Sequence, residues 1–206
     1  MKQVIYVVST DNPMPGAFSS AAAQGKIRPV RQDRLTDGDI ADAAGLIACV
    51  GLDQIDMMAR RGSVEAMLDA GGRLVFCGHV LRPFVYGLEH FIPLADKRRA
   101  DYVLTRLAEH PVFAGIDAKT LEANRGVAGF YGRGHNPPPP GATVLNGLGP
   151  DLAPVDWVWH RSAGGVLLVH SGNDLWGVGD DPAVKTLIAE RLVSWCLEGR
   201  RAEIAA

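Results

Sequence analysis

The triplet Cys77-Gly78-His79 is the part of the sequence whose residue types most suggest catalysis. Cys77 ends an apolar run and enters a turn, where unpaired backbone N–H groups stabilise a thiolate and lower its pKa. The same N–H groups could form an oxyanion hole for an acyl-transfer intermediate. His170 ends a second apolar run and could act as the general base, with Asp174 or Asp156 orienting its ring. One hypothesis is therefore a cysteine-dependent hydrolase or amidase, whose candidate catalytic residues are Cys77, His170 and Asp174.

A structural role for Cys77 is the competing interpretation, because free cysteine is among the most buried residue types. The chain has three cysteines, Cys49, Cys77 and Cys196, with no CxxC pair, so neither a disulfide framework nor a zinc site is indicated. Cys196 falls on the apolar stripe of the C-terminal helix pattern, and we expect it in the core.

No metal or cofactor is predicted from the histidines and glycines. The six histidines include no HxH and no pair at helical i, i+4 spacing, although folding could still assemble His79, His135 and His170 into one site. The 24 glycines form neither GxGxxG nor GxxxxGK[ST], so a phosphate-binding loop has no support.

Three apolar runs predict the strands that must position these residues: Val4–Val8, 46–50 and 74–77. Strands that are apolar on both faces are typical of a parallel sheet covered by helices. The segment 53–70 has helical spacing, so strand, helix and strand predict a βαβ crossover.

The remaining pattern predicts short helices, a hairpin and an antiparallel edge within one domain, residues 1–206. A strand is expected at Ile27–Arg31, and short helices at 17–24 and 39–44. Further short strands are expected at 102–107, 126–131 and Thr143–Leu148, and a hairpin at 155–159 and 166–169. Asp181 is expected to cap a terminal helix that begins at Pro182 and ends at Gly199.

In such a sheet, ligands bind beyond the carboxyl ends of the strands, which selects a few loops. Directional hydrogen bonds and aromatic faces in these loops would suit a polar ligand, including a sugar. Trp157 and Trp159 are further candidates for the cleft walls, although their place on a predicted strand equally suits core residues. The candidate ligand-binding residues are His79, Arg82, Tyr131, Arg133, His135, Asn173 and Trp176. The proline-rich segment 132–141 is either a rigid surface connector or a preordered lid that carries three of them over the cleft.

Composition excludes several classes of protein. The 206 residues are 47% hydrophobic with a net charge of −2, which is typical of a compact soluble protein. Nucleic-acid binding is disfavoured, because Lys97-Arg98-Arg99 is the densest basic cluster and fits a solvated turn. The N-terminal apolar run is too short for a signal peptide and no stretch is long enough for a membrane span, so we expect a cytoplasmic protein without membrane contact.

Several short segments resemble the class I glutamine amidotransferase-like superfamily, in particular its ThuA-like (trehalose utilisation) branch. The matching segments are AGGRLV at 70–75, HPVFAGI at 110–116, PVDWV at 154–158, GGV at 164–166 and HSGND at 170–174. The resemblance implies an α/β fold, namely a flavodoxin-like three-layer sandwich with a mostly parallel central sheet and an antiparallel insertion or edge. It also implies a ligand cleft at the strand ends.

The sequence departs from the glutaminases of that superfamily. Their nucleophile lies in G-x-C-x-G, but Val75 and His79 flank Cys77 at these positions. Their H-x-E pair is matched by His170-Ser171-Gly172, which lacks the glutamate. Glutamine hydrolysis is therefore not expected.

Three functions remain open. The leading hypothesis is a non-glutaminase member of the superfamily that binds a small polar, for example carbohydrate-like, ligand at the strand ends. The second is the cysteine-dependent hydrolase. The third is a non-catalytic assembly subunit that docks a partner through the apolar segment 84–94 and the Pro137–Pro140 loop, and a homodimer would fit each of the three.

Overall fold

An eight-stranded sheet organises the computed structural model, which describes residues 2–9, 13–124 and 126–198. The strands are β1 (Val4–Val8), β2 (Ile27–Arg31), β3 (Gly45–Ala48), β4 (Arg73–Cys77), β5 (Ile92–Pro93), β6 (Leu104–Arg106), β7 (Gly134–His135), β8 (Thr143–Leu148), β9 (Ala153–His160) and β10 (Val166–His170). The large sheet has the order β2-β1-β3-β4-β10-β9-β8-β6, and β5 pairs with β7 in a separate antiparallel ribbon.

Five neighbouring strands of the large sheet are parallel, and the other three extend it antiparallel. The strands β2, β1, β3, β4 and β10 run in the same direction, whereas β9, β8 and β6 alternate. The predicted α/β class with a mostly parallel sheet and an antiparallel edge is confirmed, as is the hairpin formed by β9 and β10.

The described residues form six α-helices, and polar side chains begin several of them. They are α1 (Ser19–Ala23), α2 (Asp37–Asp42), α3 (Gln54–Ala59), α4 (Arg61–Asp69), α5 (Ala118–Glu122) and α6 (Pro182–Glu198). Asp53 accepts hydrogen bonds from Ile55 N and Asp56 N at the start of α3. Asp181 Oδ1 accepts from Ala183 N at 2.8 Å, so it caps α6 as predicted.

Two predicted elements differ from the structure. The expected helix 53–70 is two helices that meet at Arg60. The expected strand 126–131 is a series of turns, because Gly126 and Gly129 have φ angles of +78° and +68° that an extended strand does not accommodate. The predicted helix end at Gly199 lies outside the described residues.

Hydrophobic residues pack on both faces of the sheet. Along β1, Val4, Tyr6 and Val8 belong to one buried cluster and Ile5 and Val7 to another, as the period of two in a strand requires. The first cluster includes residues of α6 and the second includes residues of α2, α3 and α4. Both sides of the parallel strands are therefore covered.

The carboxyl ends of β4 and β10 lie side by side, although about ninety residues of chain separate them. His170 is paired in register with Cys77, and the N–H of Gly78 donates to the carbonyl of His170 at 2.9 Å. The predicted convergence of these two strand ends is confirmed, and it places their following loops at one edge.

Within the described ranges, no helix combines the length and the apolar character needed to cross a bilayer.

Candidate functional site

A cleft of about 320 Å³ lies at the carboxyl edge of the parallel strands. Val50 follows β3, His79 follows β4, and Gly172 and Asn173 follow β10, so three strands contribute to it. The opposite wall comes from the turn-rich segment 127–133, which includes Arg133. The cleft therefore lies where ligands bind in open α/β sheets.

His79 presents a polar ring to this cleft. The ring stacks on Phe91, with the centroids 3.6 Å apart and the planes 15° from parallel. Burial against its neighbours, and then the proximity of His170, lower the pKa of His79. The ring is therefore neutral at pH 7, with one nitrogen that donates and one that accepts a hydrogen bond.

Asn173 and Arg133 supply the other polar groups of the cleft. Asn173 Nδ2 donates to the carbonyl of Phe130 at 2.8 Å, which joins the two walls and leaves Oδ1 without a protein partner among the described residues. Arg133 donates through Nε to Gly129 O at 3.3 Å and through Nη2 to Ala128 O at 3.2 Å. No carboxylate within the described ranges pairs with Arg133, so the cleft carries one uncompensated positive charge.

A fully buried polar network lies beneath the cleft. His170 Nδ1 is 2.5 Å from Asp156 Oδ1, and the other oxygen of Asp156 accepts from Tyr131 OH and Asn146 Nδ2, both at 2.6 Å. These residues are at most 1% exposed. Strand register produces the network, because Asp156 is the cross-strand partner of His170 on one side and of Asn146 on the other.

The network fixes the orientation of the His170 ring. The side chain of Asp156 faces Nδ1, while Nε2 is buried with no hydrogen-bond partner. Gly172 covers this side of the ring, since a Cβ built on it would lie 2.7 Å from Nε2. Burial, and then Asp156, raise the pKa of Tyr131, so its hydroxyl stays protonated and donates.

Cys77 is adjacent to His170 but is not arranged as an activated nucleophile. Its side chain is fully buried, and no hydrogen bond joins its sulfur to His170 Nε2. Burial raises the pKa of Cys77 well above its usual value, and Asp174 raises it further. The N–H of Leu175, from the loop after β10, lowers this pKa, but burial outweighs it.

Asp174 lies near this site without touching His170. Its Oδ1 accepts the N–H of Val50 at 2.8 Å, which ties the loop after β10 to the loop after β3. Burial raises the pKa of Asp174, and the bond from Val50 partly offsets this. Of the two acids proposed to orient His170, Asp156 is the one in contact with its ring.

Several predicted ligand-binding residues do not line the cleft. Trp176 is 4% exposed and packs 5.5 Å from Tyr6 and 5.2 Å from Phe18, measured between ring centroids. Arg82 is exposed and donates to Leu81 O, and His135 is half-buried in β7. Tyr131 belongs to the buried network. The structure therefore brings His79, Arg133 and Asn173 together at the cleft and places the other four elsewhere.

Asn136 is a residue that the sequence analysis did not single out. It is fully buried, and its side chain donates to Gly78 O at 2.8 Å and accepts from Val80 N at 2.9 Å. Its backbone N–H donates to Ser171 Oγ at 2.8 Å, and its carbonyl accepts from Trp157 Nε1 at 2.8 Å. Asn136 therefore joins the loops after β4 and β10 to β9. An asparagine before a proline is common in turns, so its residue type did not indicate a buried side chain that links several loops.

The proposed docking segment 84–94 is only partly in the core. Phe84, Val85 and Leu88 are at most 5% exposed, while Tyr86 and Ile92 are 64% and 48% exposed. Within the described ranges, no three His, Cys, Asp or Glu side chains are grouped so that they could hold one metal ion.

In comparisons with known proteins, no family model matches the chain and no curated protein matches it significantly. The function is therefore argued from the geometry of the site.

Proposed function

We propose that this protein binds a small polar ligand in the cleft at the carboxyl edge of β3, β4 and β10. The observation that carries the proposal is the convergence of His79, Arg133 and Asn173 on one cavity from three separate segments. A cavity with a few converging polar groups at this edge is the usual form of a small-molecule site in an α/β protein.

We also propose that the chain is a non-glutaminase member of the class I amidotransferase-like superfamily with flavodoxin-like layering. The strand order supports this, because β2-β1-β3-β4-β10 follows the 2-1-3-4-5 order of flavodoxin-like sheets when β10 is counted as the fifth parallel strand. The burial of Cys77 supports the absence of glutaminase activity, since an acyl-forming thiol must reach its substrate.

The lining residues favour hydrogen bonding and charge over stacking on a sugar. Tyr131, Trp157 and Trp176 are each at most 4% exposed, so they offer no face to a ligand in the cleft. Among the described residues that line the cleft, the rings are those of Phe130 and His79. We therefore place polar, hydrogen-bonding metabolites ahead of carbohydrates as the ligand class.

A thermal-shift screen of polar metabolites against the purified protein tests this proposal. A ligand present at a hundred times its Kd stabilises the protein by about 2.7 kcal/mol, which is readily detected. Arg133→Gln and Asn173→Ala should reduce the shift, whereas Arg82→Gln, an exposed arginine outside the cleft, should not. Hits whose shift is the same in all three variants, or a screen without hits, would contradict the proposal.

The cysteine-dependent hydrolase is a second candidate, and one observation favours it. His170 is oriented by Asp156 and lies in register with Cys77 on the adjacent strand. Such chemistry would require the wall at 127–133 to move and the thiol to ionise, because both His170 Nε2 and Cys77 are buried. The alkylation rate of Cys77 separates the two candidates.

A further inference from the structure

A second cavity, separate from the sheet-edge cleft, has a volume of about 540 Å³. One wall is the segment 97–103, and the other is α5 with the residues that follow it. Val127 and Gly129 line both cavities, so the turn-rich segment stands between them as a shared partition.

Positive charge dominates this second cavity. Among the described residues, Lys97, Arg99 and Lys119 line it together with one carboxylate, that of Glu122. Glu122 Oε2 is already engaged, because it accepts the N–H of Leu104 at 2.8 Å. The cavity is therefore a place where an anion gains favourable Coulomb energy.

The three cations have no counter-ion among the described residues, and Arg98 explains why. Arg98 takes the two local acids, since it lies 2.9 Å from Asp96 and 3.3 Å from Asp101. Its neighbours Lys97 and Arg99 are left to face the cavity without an ion pair, and Lys119 approaches from α5 in the same state.

The backbone that carries the cations is well anchored. Asp101 accepts the N–H of Arg98 at 2.8 Å, which fixes the turn that contains Arg99. Asp117 Oδ1 accepts the N–H of Lys119 at 2.7 Å and so caps α5. A preformed backbone of this kind lowers the ordering cost of binding.

An unsatisfied amide lines the same cavity. Asn124 Nδ2 is buried and has no hydrogen-bond partner. A buried donor without an acceptor costs free energy, and an oxygen atom of a bound anion would remove that cost. The described lining of the cavity thus combines ammonium, guanidinium and amide donors with the carboxylate of Glu122, and the positive charges outnumber the negative one.

We propose that this cavity is a second binding site, which takes a small molecule with two or more negative charges, carboxylate or phosphate, between Lys97, Arg99 and Lys119. The assignment is independent of the sheet-edge cleft, because none of the three cations lines that cleft.

Isothermal titration calorimetry with citrate and with pyrophosphate tests the proposal, and the two probes distinguish carboxylate from phosphate recognition. We expect at least one probe to bind, with an affinity that falls as the salt concentration rises. Arg99→Gln and Lys119→Gln should each raise the Kd by about tenfold, which is the effect expected from the loss of one charge-assisted hydrogen bond. Arg34→Gln is the matched control, because that side chain is 81% exposed and follows β2 at the opposite edge of the sheet.

The proposal is overturned if neither probe binds, or if Lys119→Gln and Arg99→Gln bind as tightly as the unmodified protein. Binding that is independent of salt would also contradict it. Arg133→Gln gives a further check, since loss of binding in this variant alone would place the anion in the sheet-edge cleft.

Discussion

His170 Nδ1 lies 2.5 Å from Asp156 Oδ1, and both side chains are fully buried. Tyr131 and Asn146 contact the other oxygen of the acid, so the Asp156 carboxylate makes three close polar contacts in a region without access to water. Because buried polar groups cost free energy once a partner is lost, this network is central to stability whatever its role in function.

Asp156→Ala should lower the free energy of unfolding by about 3–5 kcal/mol, because it leaves three buried donors without their acceptor. Asp181→Ala is the control, since the loss of an exposed helix cap costs about 1 kcal/mol. Urea unfolding of the two variants measures the difference. If Asp156→Ala does not fold, Tyr131→Phe tests the same network, because it removes only the hydroxyl that donates to Asp156 and accepts from Asn146. Equal costs for Asp156→Ala and Asp181→Ala would contradict the prediction.

Gly172→Ala should be strongly destabilising. A Cβ at this position would lie 1.7 Å from the carbonyl oxygen of Tyr131 and 2.7 Å from His170 Nε2, so backbone must shift. We expect a loss of at least about 3 kcal/mol, at the upper end of overpacking effects. Gly177→Ala is the matched control, because no atom lies within 4 Å of its added Cβ. If thermal or urea unfolding shows equal stability for Gly172→Ala and Gly177→Ala, the close contacts at Gly172 are not what excludes a side chain there.

Cys77 should react slowly with iodoacetamide in the folded protein. Its thiol is fully buried and burial raises its pKa, so little accessible thiolate exists at pH 8. Peptide mass spectrometry across a urea series should show labelling that rises with the unfolded fraction, as for the buried Cys49 and Cys196. Preferential labelling of Cys77 without urea, half-maximal below about pH 8.5, would instead favour the hydrolase.

His110 should make the protein less stable in acid. Burial, followed by the charge of Arg73, lowers its pKa to about 4, whereas the unfolded chain binds this proton near pH 6.5. Its contribution is therefore fully present above pH 6.5 and is lost as the pH falls towards 4, up to about 3 kcal/mol. In His110→Gln, the free energy of unfolding measured by urea titration should fall less steeply between pH 6.5 and pH 4. His90→Gln changes an exposed histidine and should keep the pH dependence of the unmodified protein. If His110→Gln also keeps it, His110 is not the source of the acid sensitivity.

Much of the sheet was predictable because its signal is local. The run Val4–Val8 is apolar at every position and forms β1 with these bounds, and Ile27–Arg31 forms β2. The ends of the apolar runs 74–77 and 166–169 also predicted which loops would meet, since parallel strands align their carboxyl ends. The break at Arg60 was less visible, because the apolar spacing of 53–70 continues through it.

The partners within the site were harder to predict, because long-range register determines them. Asp174 is closer in sequence to His170 than Asp156 is, yet the antiparallel pairing of β9 with β10 sets Asp156 beside the ring. Trp176 has a residue type suited to ligand contact, but Tyr6 and Phe18 enclose it in the core. Residue type and local spacing contain neither piece of information.

The hairpin of β9 and β10 has an evolutionary consequence. Asp156 and His170 both lie on this one continuous stretch of 153–170, on facing strands of a single turn. Duplication, recombination or grafting of that stretch transfers the acid and the imidazole together, already aligned. The pairing of the acid with the imidazole therefore depends on the register of one hairpin, not on contacts between segments that are distant in sequence.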